Sequence, residues 1–229
     1  MTTVLNNQSF EERYKPRSLN DVVFPDIIAE QKIKAYLSGQ KRRPLLLYGP
    51  PGTGKTSVAK LLPDAMCPDF TAANLLEIGG YDAASSAEVV SKIQGFCKRA
   101  PLGNCPFTVI FLDEIDMLPP GARGKLKALI DNAGEWVFFM FTTNHHSVLE
   151  TPLKSRCTKV HFDKADPHRW LPRMKQILKR ERVIAPPDPH LLNLAELADG
   201  DVREILDELQ DLVITLRAQG KTLKRKISA

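Results

Sequence analysis

The part of the sequence that most constrains the fold is a glycine-rich segment between an apolar run and a helical pattern. The segment, Gly49-Pro50-Pro51-Gly52-Thr53-Gly54-Lys55-Thr56, has the form G-x-x-x-x-G-K-[ST]; the run 45–48 precedes it and the helical pattern 57–62 follows it. In a strand–loop–helix context, such a loop turns its backbone N–H groups and the helix N-terminus toward phosphate groups. A chance glycine-rich turn is the alternative, and the complete motif in this context disfavours it.

Four further apolar runs follow along the chain, at 75–78, 108–112, 136–141 and 158–162. Helical patterns separate them. Nearly continuous apolar strands that alternate with helices are typical of a parallel sheet covered on both faces. The sequence therefore predicts an α/β domain of three layers.

The strands stop near residue 164, and three helical patterns follow, at 166–182, 188–198 and from Asp201 onward. In the third pattern, apolar residues recur at offsets of three and four and so share one face. These residues are Val202, Ile205, Leu206, Leu209, Leu212, Val213 and Leu216. We predict an α/β core over 1–163, a small all-helical domain over 164–220 and a basic tail over 221–229.

Composition excludes several classes of protein. Of the 229 residues, 43% are hydrophobic and 26% are charged, values that exclude wholesale disorder. No apolar run approaches the ~18 residues that span a bilayer, and residues 1–16 lack the apolar stretch of a secretory signal. We expect a cytoplasmic protein (nucleoid or nuclear if eukaryotic) with no membrane partner. The net charge of +5 permits a nucleic-acid partner without requiring one.

Two carboxylates follow the third apolar run directly, as Asp113 and Glu114. They come at the carboxyl end of a predicted strand, where α/β sheets bind ligands. Asp113 and the Thr56 hydroxyl are suited to hold Mg²⁺, Lys55 to neutralise phosphate charge, and Glu114 to polarise an attacking water. Together the two motifs indicate hydrolysis of a nucleoside triphosphate.

With both motifs, the sequence resembles AAA+ ATPases, and within them the clamp-loader group of replication factor C small subunits and the phage clamp-loader ATPase subunit. The resemblance implies a P-loop AAA+ core with a helical lid, and it runs from about residue 11 to 216. Residues 12–23 look like the family's K-Y-R-P-x-x-L-x-D-V-V box, which contributes to the adenine pocket. The resemblance places Tyr14, Pro16, Val22 and Val23 in that pocket; for Tyr14, simple packing on the core is an equal alternative.

Three more polar residues inherit roles from the same resemblance. Asn144 follows Phe141-Thr142-Thr143 at the sensor 1 position, and Arg156 lies in a Ser-Arg-Cys box whose arginine enters the neighbouring subunit's ATP site. Arg203 matches sensor 2, which contacts the nucleotide from the lid. The alternatives are a turn cap for Asn144, a solvated cation for Arg156 and an exposed helix residue for Arg203.

The candidate site residues follow from these assignments. The catalytic candidates are Lys55, Glu114, Asn144 and Arg156, and the candidate Mg²⁺ ligands are Thr56 and Asp113. The candidate ATP-binding residues are Tyr14, Pro16, Val22, Val23, Gly49, Pro50, Pro51, Gly52, Thr53, Gly54, Lys55, Thr56, Ser57, Asn144 and Arg203.

The sequence departs from the clamp-loader pattern in two places. The family reads E-L-N-A-S-D after its second strand, whereas residues 77–82 read Glu-Ile-Gly-Gly-Tyr-Asp. Gly79 thus replaces the polar residue that tethers the catalytic glutamate until DNA binds, so such gating is absent or uses another residue. The family also has a C-terminal collar domain, and this sequence ends where the collar would start. It is then a piece of a longer protein, or assembles through AAA+ surfaces alone, or relies on another chain as scaffold.

The resemblance implies an ATP- and Mg²⁺-dependent ATPase that loads or remodels a sliding clamp on primed DNA during replication. It would assemble with copies of itself or related AAA+ subunits in a ring or spiral. Residues 119–127 correspond to the segment that tracks the DNA backbone, and a solvated basic loop is an equal alternative. Another AAA+ DNA machine, such as a helicase loader or branch-migration motor, and a nucleotide-dependent scaffold with little turnover are the rival functions.

Overall fold

The five apolar runs form one parallel sheet. The structure, a computed structural model, describes residues 8–82 and 85–223, so most of the predicted basic tail lies outside the described residues. The strands are β1 (Leu45–Tyr48), β2 (Leu75–Gly79), β3 (Thr108–Asp113), β4 (Val137–Thr143) and β5 (Thr158–His161). Their order across the sheet is β2-β3-β4-β1-β5, and every neighbouring pair is parallel. The predicted α/β fold with a parallel sheet is confirmed.

The strand register brings three strand ends to one place. Leu112 of β3 pairs with Phe141 of β4, and Tyr48 of β1 pairs with Thr143 of β4. The residues that follow these pairs therefore leave the sheet side by side. In a parallel α/β sheet, this carboxyl edge is where ligands bind.

Ten α-helices surround or follow the sheet in the described residues. They are α1 (Phe10–Tyr14), α2 (Ile27–Leu37), α3 (Lys55–Met66), α4 (Ser86–Cys97), α5 (Pro120–Arg123), α6 (Leu126–Asp131), α7 (Thr151–Lys154), α8 (Pro167–Arg180), α9 (Asp188–Leu197) and α10 (Val202–Ala218). Side-chain caps start several of them: the Asp26 carboxylate, for example, accepts from the Ala29 N–H of α2 at 2.7 Å. None of these helices has the length and the hydropathy that crossing a bilayer requires.

The chain divides into two compact units, each with its own apolar core. Residues 26–163 form the first unit, whose core lies between the sheet and its helices and includes Ile93, Ile110 and Phe141. The second unit is helical and consists of Lys164 and the residues after it together with the residues up to Pro25. Five of the seven apolar residues predicted on one face of α10 are buried in its core, and Val202 and Leu212 pack partly buried against them.

The N-terminal segment differs from the prediction, which placed it with the α/β core. Phe10 and Tyr14 of α1 are buried in the core of the helical unit. The Tyr14 hydroxyl donates to the carboxylate of Glu181, which follows α8 and is itself buried. The buried Arg173 of α8 donates to Asp21 at 2.7 Å and to the Tyr14 carbonyl at 3.1 Å. These buried charges need partners, and the N-terminal segment supplies them.

The Glu181 carboxylate is the centre of this attachment. It accepts from Arg13 at 2.8 Å and from Arg217 of α10 at 2.5 Å in addition to Tyr14. Burial acts to raise the pKa of Glu181, but the Tyr14 hydrogen bond and the charges of Arg13 and Arg217 outweigh it and hold this pKa below its ordinary value. The charged form is therefore the one that stabilises the unit.

Replacing Glu181 tests whether this buried network contributes more to stability than an ordinary surface charge does. We expect Glu181→Gln to lower the free energy of unfolding by about 1–3 kcal/mol, because it weakens hydrogen bonds to a buried charged group. Urea denaturation measures this. The loss should shrink as the pH falls below the ordinary range of a glutamate pKa and then through the lower folded-state pKa of Glu181, because the native glutamate is protonated there too.

The matched control is Glu208→Gln on the exposed side of α10, which should change stability by no more than about 0.5 kcal/mol. Equal denaturation midpoints for the two variants at neutral pH would contradict the role given to Glu181.

Candidate active site

The loop between β1 and α3 depends on glycine at three positions. Gly49, Gly52 and Gly54 have φ values of 146°, 75° and 90°, a region that favours glycine. Gly49 is also constrained by space, because a Cβ there would lie 2.0 Å from the carbonyl oxygen of Phe162. Gly54 is the N-cap of α3 and has open space beside it. The loop thus leads into a helix N-terminus with room for an anion.

Lys55, the first residue of α3, is buried within this loop. Only 6% of it is exposed, and its Nζ donates to the carbonyls of Gly49 at 3.0 Å and Pro50 at 2.6 Å. Burial lowers the pKa of Lys55 to about 8, while the carboxylates of Glu114, Asp113 and Asp116 act in the opposite direction. A bound phosphate would give this cation a full negative charge as a partner.

Thr56 and Asp113 meet where α3 and β3 approach each other. The Thr56 Oγ1 lies 2.9 Å from Oδ1 and 3.2 Å from Oδ2 of Asp113. A hydroxyl and a carboxylate are the oxygen ligands that Mg²⁺ accepts, and this ion usually keeps several waters and phosphate oxygens as well. No group of three His, Cys, Asp or Glu side chains in the described residues could hold a metal ion. The pair therefore fits Mg²⁺ that arrives with a nucleotide, and the loop and Lys55 fit the phosphates.

Glu114, the candidate base, lies beside Asn144, the candidate sensor 1 residue. The Asn144 amide donates to the Glu114 carboxylate at 3.2 Å. Glu114 has a φ of 52°, a left-handed conformation that is uncommon for a residue with a side chain. Its backbone N–H donates to the Thr142 hydroxyl at 2.8 Å. The strained turn and its hydrogen bonds fix where the carboxylate leaves the backbone.

The remaining loop residues have structural contacts of their own. The Thr53 hydroxyl donates to the Pro50 carbonyl at 3.0 Å, and Ser57 is half-buried in the first turn of α3. Pro50 and Gly52 are half-buried and Pro51 is exposed. Taken with the contacts described above, the structure brings five candidate residues together around the glycine loop: Lys55, Thr56, Asp113, Glu114 and Asn144.

Arg156 is paired within its own chain. It follows α7, and its guanidinium donates to the two carboxylate oxygens of Asp131 at 2.6 and 2.8 Å and to the Pro152 carbonyl at 3.0 Å. The hydrogen bond from Arg156 lowers the pKa of Asp131. The sequence prediction missed this partner. Asp131 ends α6, where an acid is unfavourable unless a cation faces it. That unfavourable position is the sequence signal that could have identified this partner.

The other predicted nucleotide contacts belong to the helical unit. Tyr14 is buried there; burial and its hydrogen bond to Glu181 raise the pKa of its hydroxyl, so the packing alternative describes its observed contacts. Pro16 and Val22 are half-buried, and Val23 packs against the apolar core. Arg203 has a side chain that is 75% exposed and lies 3.9 Å from Glu11.

Comparison with known proteins assigns the family. Residues 45–163, from the start of β1 to the end of the first unit, match the model of the ATPase family associated with various cellular activities (AAA). The chain belongs to the AAA family. Membership in this family of ATPases supports ATPase activity in general, and the matched range contains the glycine loop, Asp113, Glu114, Asn144 and Arg156.

Two relatives of this AAA chain are replication factor C small subunits from archaea. The small subunit of Archaeoglobus fulgidus is 32% identical over 205 residues, which cover 90% of this chain and 64% of that protein. Small subunit 1 of Pyrobaculum islandicum is 30% identical over 199 residues, which cover 87% of this chain and 60% of that protein. The AAA chain thus spans less than two thirds of the length of these relatives.

Solved structures with the same fold include RuvB of Thermotoga maritima. One, described as the Holliday junction branch migration motor, has a TM-score of 0.69 at 18% identity and covers 95% of this chain and 70% of that chain. A second RuvB structure has a TM-score of 0.73, also at 18% identity, with the same coverage. These likenesses establish the P-loop AAA fold and its helical C-terminal part.

The lowered pKa of Lys55 predicts that nucleotide binding depends on pH. Phosphates bind the charged lysine, so above about pH 8 the AAA chain must take up a proton when it binds ATP. We expect the affinity for ATP to be flat below pH 8 and to fall by up to about tenfold per pH unit above it. Titration calorimetry between pH 7 and 9.5 measures this.

Two variants test whether Lys55 is the lysine that binds the phosphates. Lys55→Ala should bind ATP too weakly to measure, whereas Lys60→Ala, which removes an exposed lysine of the same helix paired with Glu77, should keep both the affinity and its fall above pH 8. An affinity that stays constant to pH 9.5 in the wild-type chain would contradict the role of Lys55.

Proposed function

We propose that this chain is the ATPase part of a clamp-loader-type protein, which hydrolyses ATP to load or remodel a sliding clamp on primed DNA during replication. The observation that carries this proposal is the similarity to replication factor C small subunits over about nine tenths of the chain, at 32% identity for the Archaeoglobus fulgidus protein. A site with both acids and the sensor residue in place supports hydrolysis rather than binding alone.

Each residue of the site then has one role. Lys55 neutralises phosphate charge, and Thr56 and Asp113 hold Mg²⁺, which withdraws charge from the phosphates when bound. Glu114 accepts a proton from the attacking water, and Asn144 holds the Glu114 carboxylate in place and presents its amide to the reacting oxygens. Two contacts support these roles: Thr56 donates to Asp113, and Asn144 donates to Glu114.

A neighbouring subunit completes the site in this proposal. Arg156 of one chain would enter the ATP site of the next, where a guanidinium stabilises charge on the transferred phosphoryl group. Within the chain, Asp131 holds the guanidinium by its Nε and one Nη. The partners proposed are therefore copies of this chain or related AAA+ subunits, arranged as a ring or spiral.

Contacts with DNA are proposed for the segment around α5 and α6. Lys125 caps α6 and Lys127 lies in its first turn, and both are exposed. Arg123 donates to the Asp116 carbonyl at 2.9 Å and is half-buried. Exposed lysines at a helix start suit contacts with phosphates, which are independent of base sequence and weaken with salt. A location with the replicating DNA, in cytoplasm or nucleus, follows from the same proposal.

Replacing Glu114 tests the hydrolytic step. We expect Glu114→Gln to bind ATP normally and to lose at least about 100-fold in kcat, because the amide cannot accept the proton of the attacking water. Phosphate release and nucleotide titration measure the two quantities. Glu135→Gln, at an exposed glutamate just before β4, is the control and should hydrolyse ATP at the wild-type rate. A Glu114→Gln chain with undiminished turnover would refute the assignment of the base.

Turnover measured against protein concentration, with and without primed DNA, tests assembly. Specific activity should rise with concentration, because each site needs an arginine from a neighbour, and should rise again with primed DNA. Arg156→Ala should bind ATP nearly as the wild type does and lose the dependence on concentration, whereas Arg42→Ala, at another exposed arginine, should keep it. Undiminished turnover in Arg156→Ala would exclude the shared site, and an activity indifferent to DNA would favour the scaffold or another AAA+ machine.

A further inference from the structure

One hydroxyl joins the two acids of the site. Thr142 lies on β4, with 1% of its surface exposed. Its Oγ1 donates to Oδ1 of Asp113 and accepts from the backbone N–H of Glu114 at 2.8 Å. A hydroxyl has one proton to donate and two lone pairs that accept, so it can make both bonds at once: it gives its proton to Asp113 and accepts the proton of the Glu114 N–H. A valine of the same shape could make neither.

The bond to Asp113 matters for the candidate metal site. The Asp113 carboxylate accepts from two hydroxyls, Thr56 and Thr142. If Thr56 turns its oxygen to Mg²⁺, it no longer donates to Asp113 in the same way. Thr142 then remains as the side-chain donor that orients the carboxylate, and a metal ligand held by such a bond is pre-organised.

The bond to Glu114 matters for the candidate base. The left-handed backbone of Glu114 is costly for a residue with a side chain and persists only where its surroundings fix it. Thr142 holds the N–H side of this residue. Gly80 packs closely against the carbonyl side of Glu114, because a Cβ at position 80 would lie 2.2 Å from the Glu114 carbonyl oxygen. The turn that aims the Glu114 carboxylate is thus held from β4 and from the loop after β2.

We infer that Thr142 is a positioning residue that couples the Mg²⁺ ligand Asp113 to the base Glu114, an inference that rests on the proposed ATPase function. Its hydroxyl contacts the backbone N–H of the base, whereas Asn144 contacts the base carboxylate directly. Serine can replace the hydroxyl but lacks the methyl group that restricts χ1 in a strand. The order of function should therefore be threonine, then serine, then valine.

Three variants and two readouts test the coupling. Thr142→Val removes the hydroxyl, Thr142→Ser keeps it, and Thr108→Val is the control, because the buried Thr108 hydroxyl has no hydrogen-bond partner in the described structure. The first readout is the Mg²⁺ concentration that gives half of the rise in Tm produced by a non-hydrolysable ATP analogue. The second is kcat at saturating Mg²⁺.

For Thr142→Val we expect about a tenfold increase in the half-saturating Mg²⁺ concentration, the effect of losing a hydrogen bond to a charged ligand. The same variant should lose at least about tenfold in kcat, because the Glu114 turn loses its acceptor. Thr142→Ser should recover most of both quantities, and Thr108→Val should match the wild type in both.

The outcomes distinguish a positioning role of Thr142 from a role in stability alone. They also distinguish failure of this inference from failure of the proposed ATPase function. A Thr142→Val chain with a lower Tm without ligand but a normal Mg²⁺ requirement and kcat would overturn the inference. If Thr142→Val does not fold, Thr142→Ala must show the raised Mg²⁺ requirement, and a normal one there overturns the inference equally. A wild-type chain that binds ATP and Mg²⁺ but does not hydrolyse ATP would refute the proposed function, while the Mg²⁺ titration would still decide the role of Thr142 toward Asp113.

Discussion

The hydrogen-bonded register of β3, β4 and β1 is the constraint on which the site depends. Because Leu112 pairs with Phe141, and Tyr48 with Thr143, Asp113, Glu114, Asn144 and the glycine loop leave the sheet at one edge. A slip by one residue would turn each strand's side chains to the opposite face. The buried apolar side chains on both faces of these strands oppose such a slip, so the packing of the core holds the catalytic geometry.

Much of this arrangement follows from local patterns in the sequence. β1, β3 and β4 are continuous or nearly continuous apolar runs, whereas β2 contains Glu77 and β5 contains Lys159 and His161. The glycine loop is recognisable from the strand pattern before it and the helical pattern after it. The closeness of Thr56 and Asp113 follows from the same topology, since a helix that starts after β1 passes the end of β3. The Thr142 hydroxyl was harder to predict, because nothing in Phe141-Thr142-Thr143-Asn144 tells which of two adjacent threonines faces the acids.

The contacts that could not be predicted join distant parts of the chain. The Tyr14–Glu181 bond connects residues 167 positions apart, and Arg173–Asp21 connects residues 152 positions apart. A short helix such as α1 shows no strong periodicity, so its sequence does not reveal which core it joins. The charges involved look like ordinary surface residues until their burial is known. The resemblance to clamp loaders assigned residues 12–23 to an adenine pocket, and only the structure showed that Tyr14 packs in the core of the helical unit.

The composition of the helical unit has a consequence for synthesis of the protein. Its apolar core combines Phe10 and Tyr14 with residues of α10, so it is complete only after the whole α/β unit has left the ribosome. At ordinary rates of translation, the nearly 200 intervening residues take roughly 10–40 s. Throughout that interval the nascent chain carries Phe10 and Tyr14 without the α10 residues that pack around them. The helical unit therefore completes its core only after the α/β unit has been made, although it includes a segment that is made before that unit.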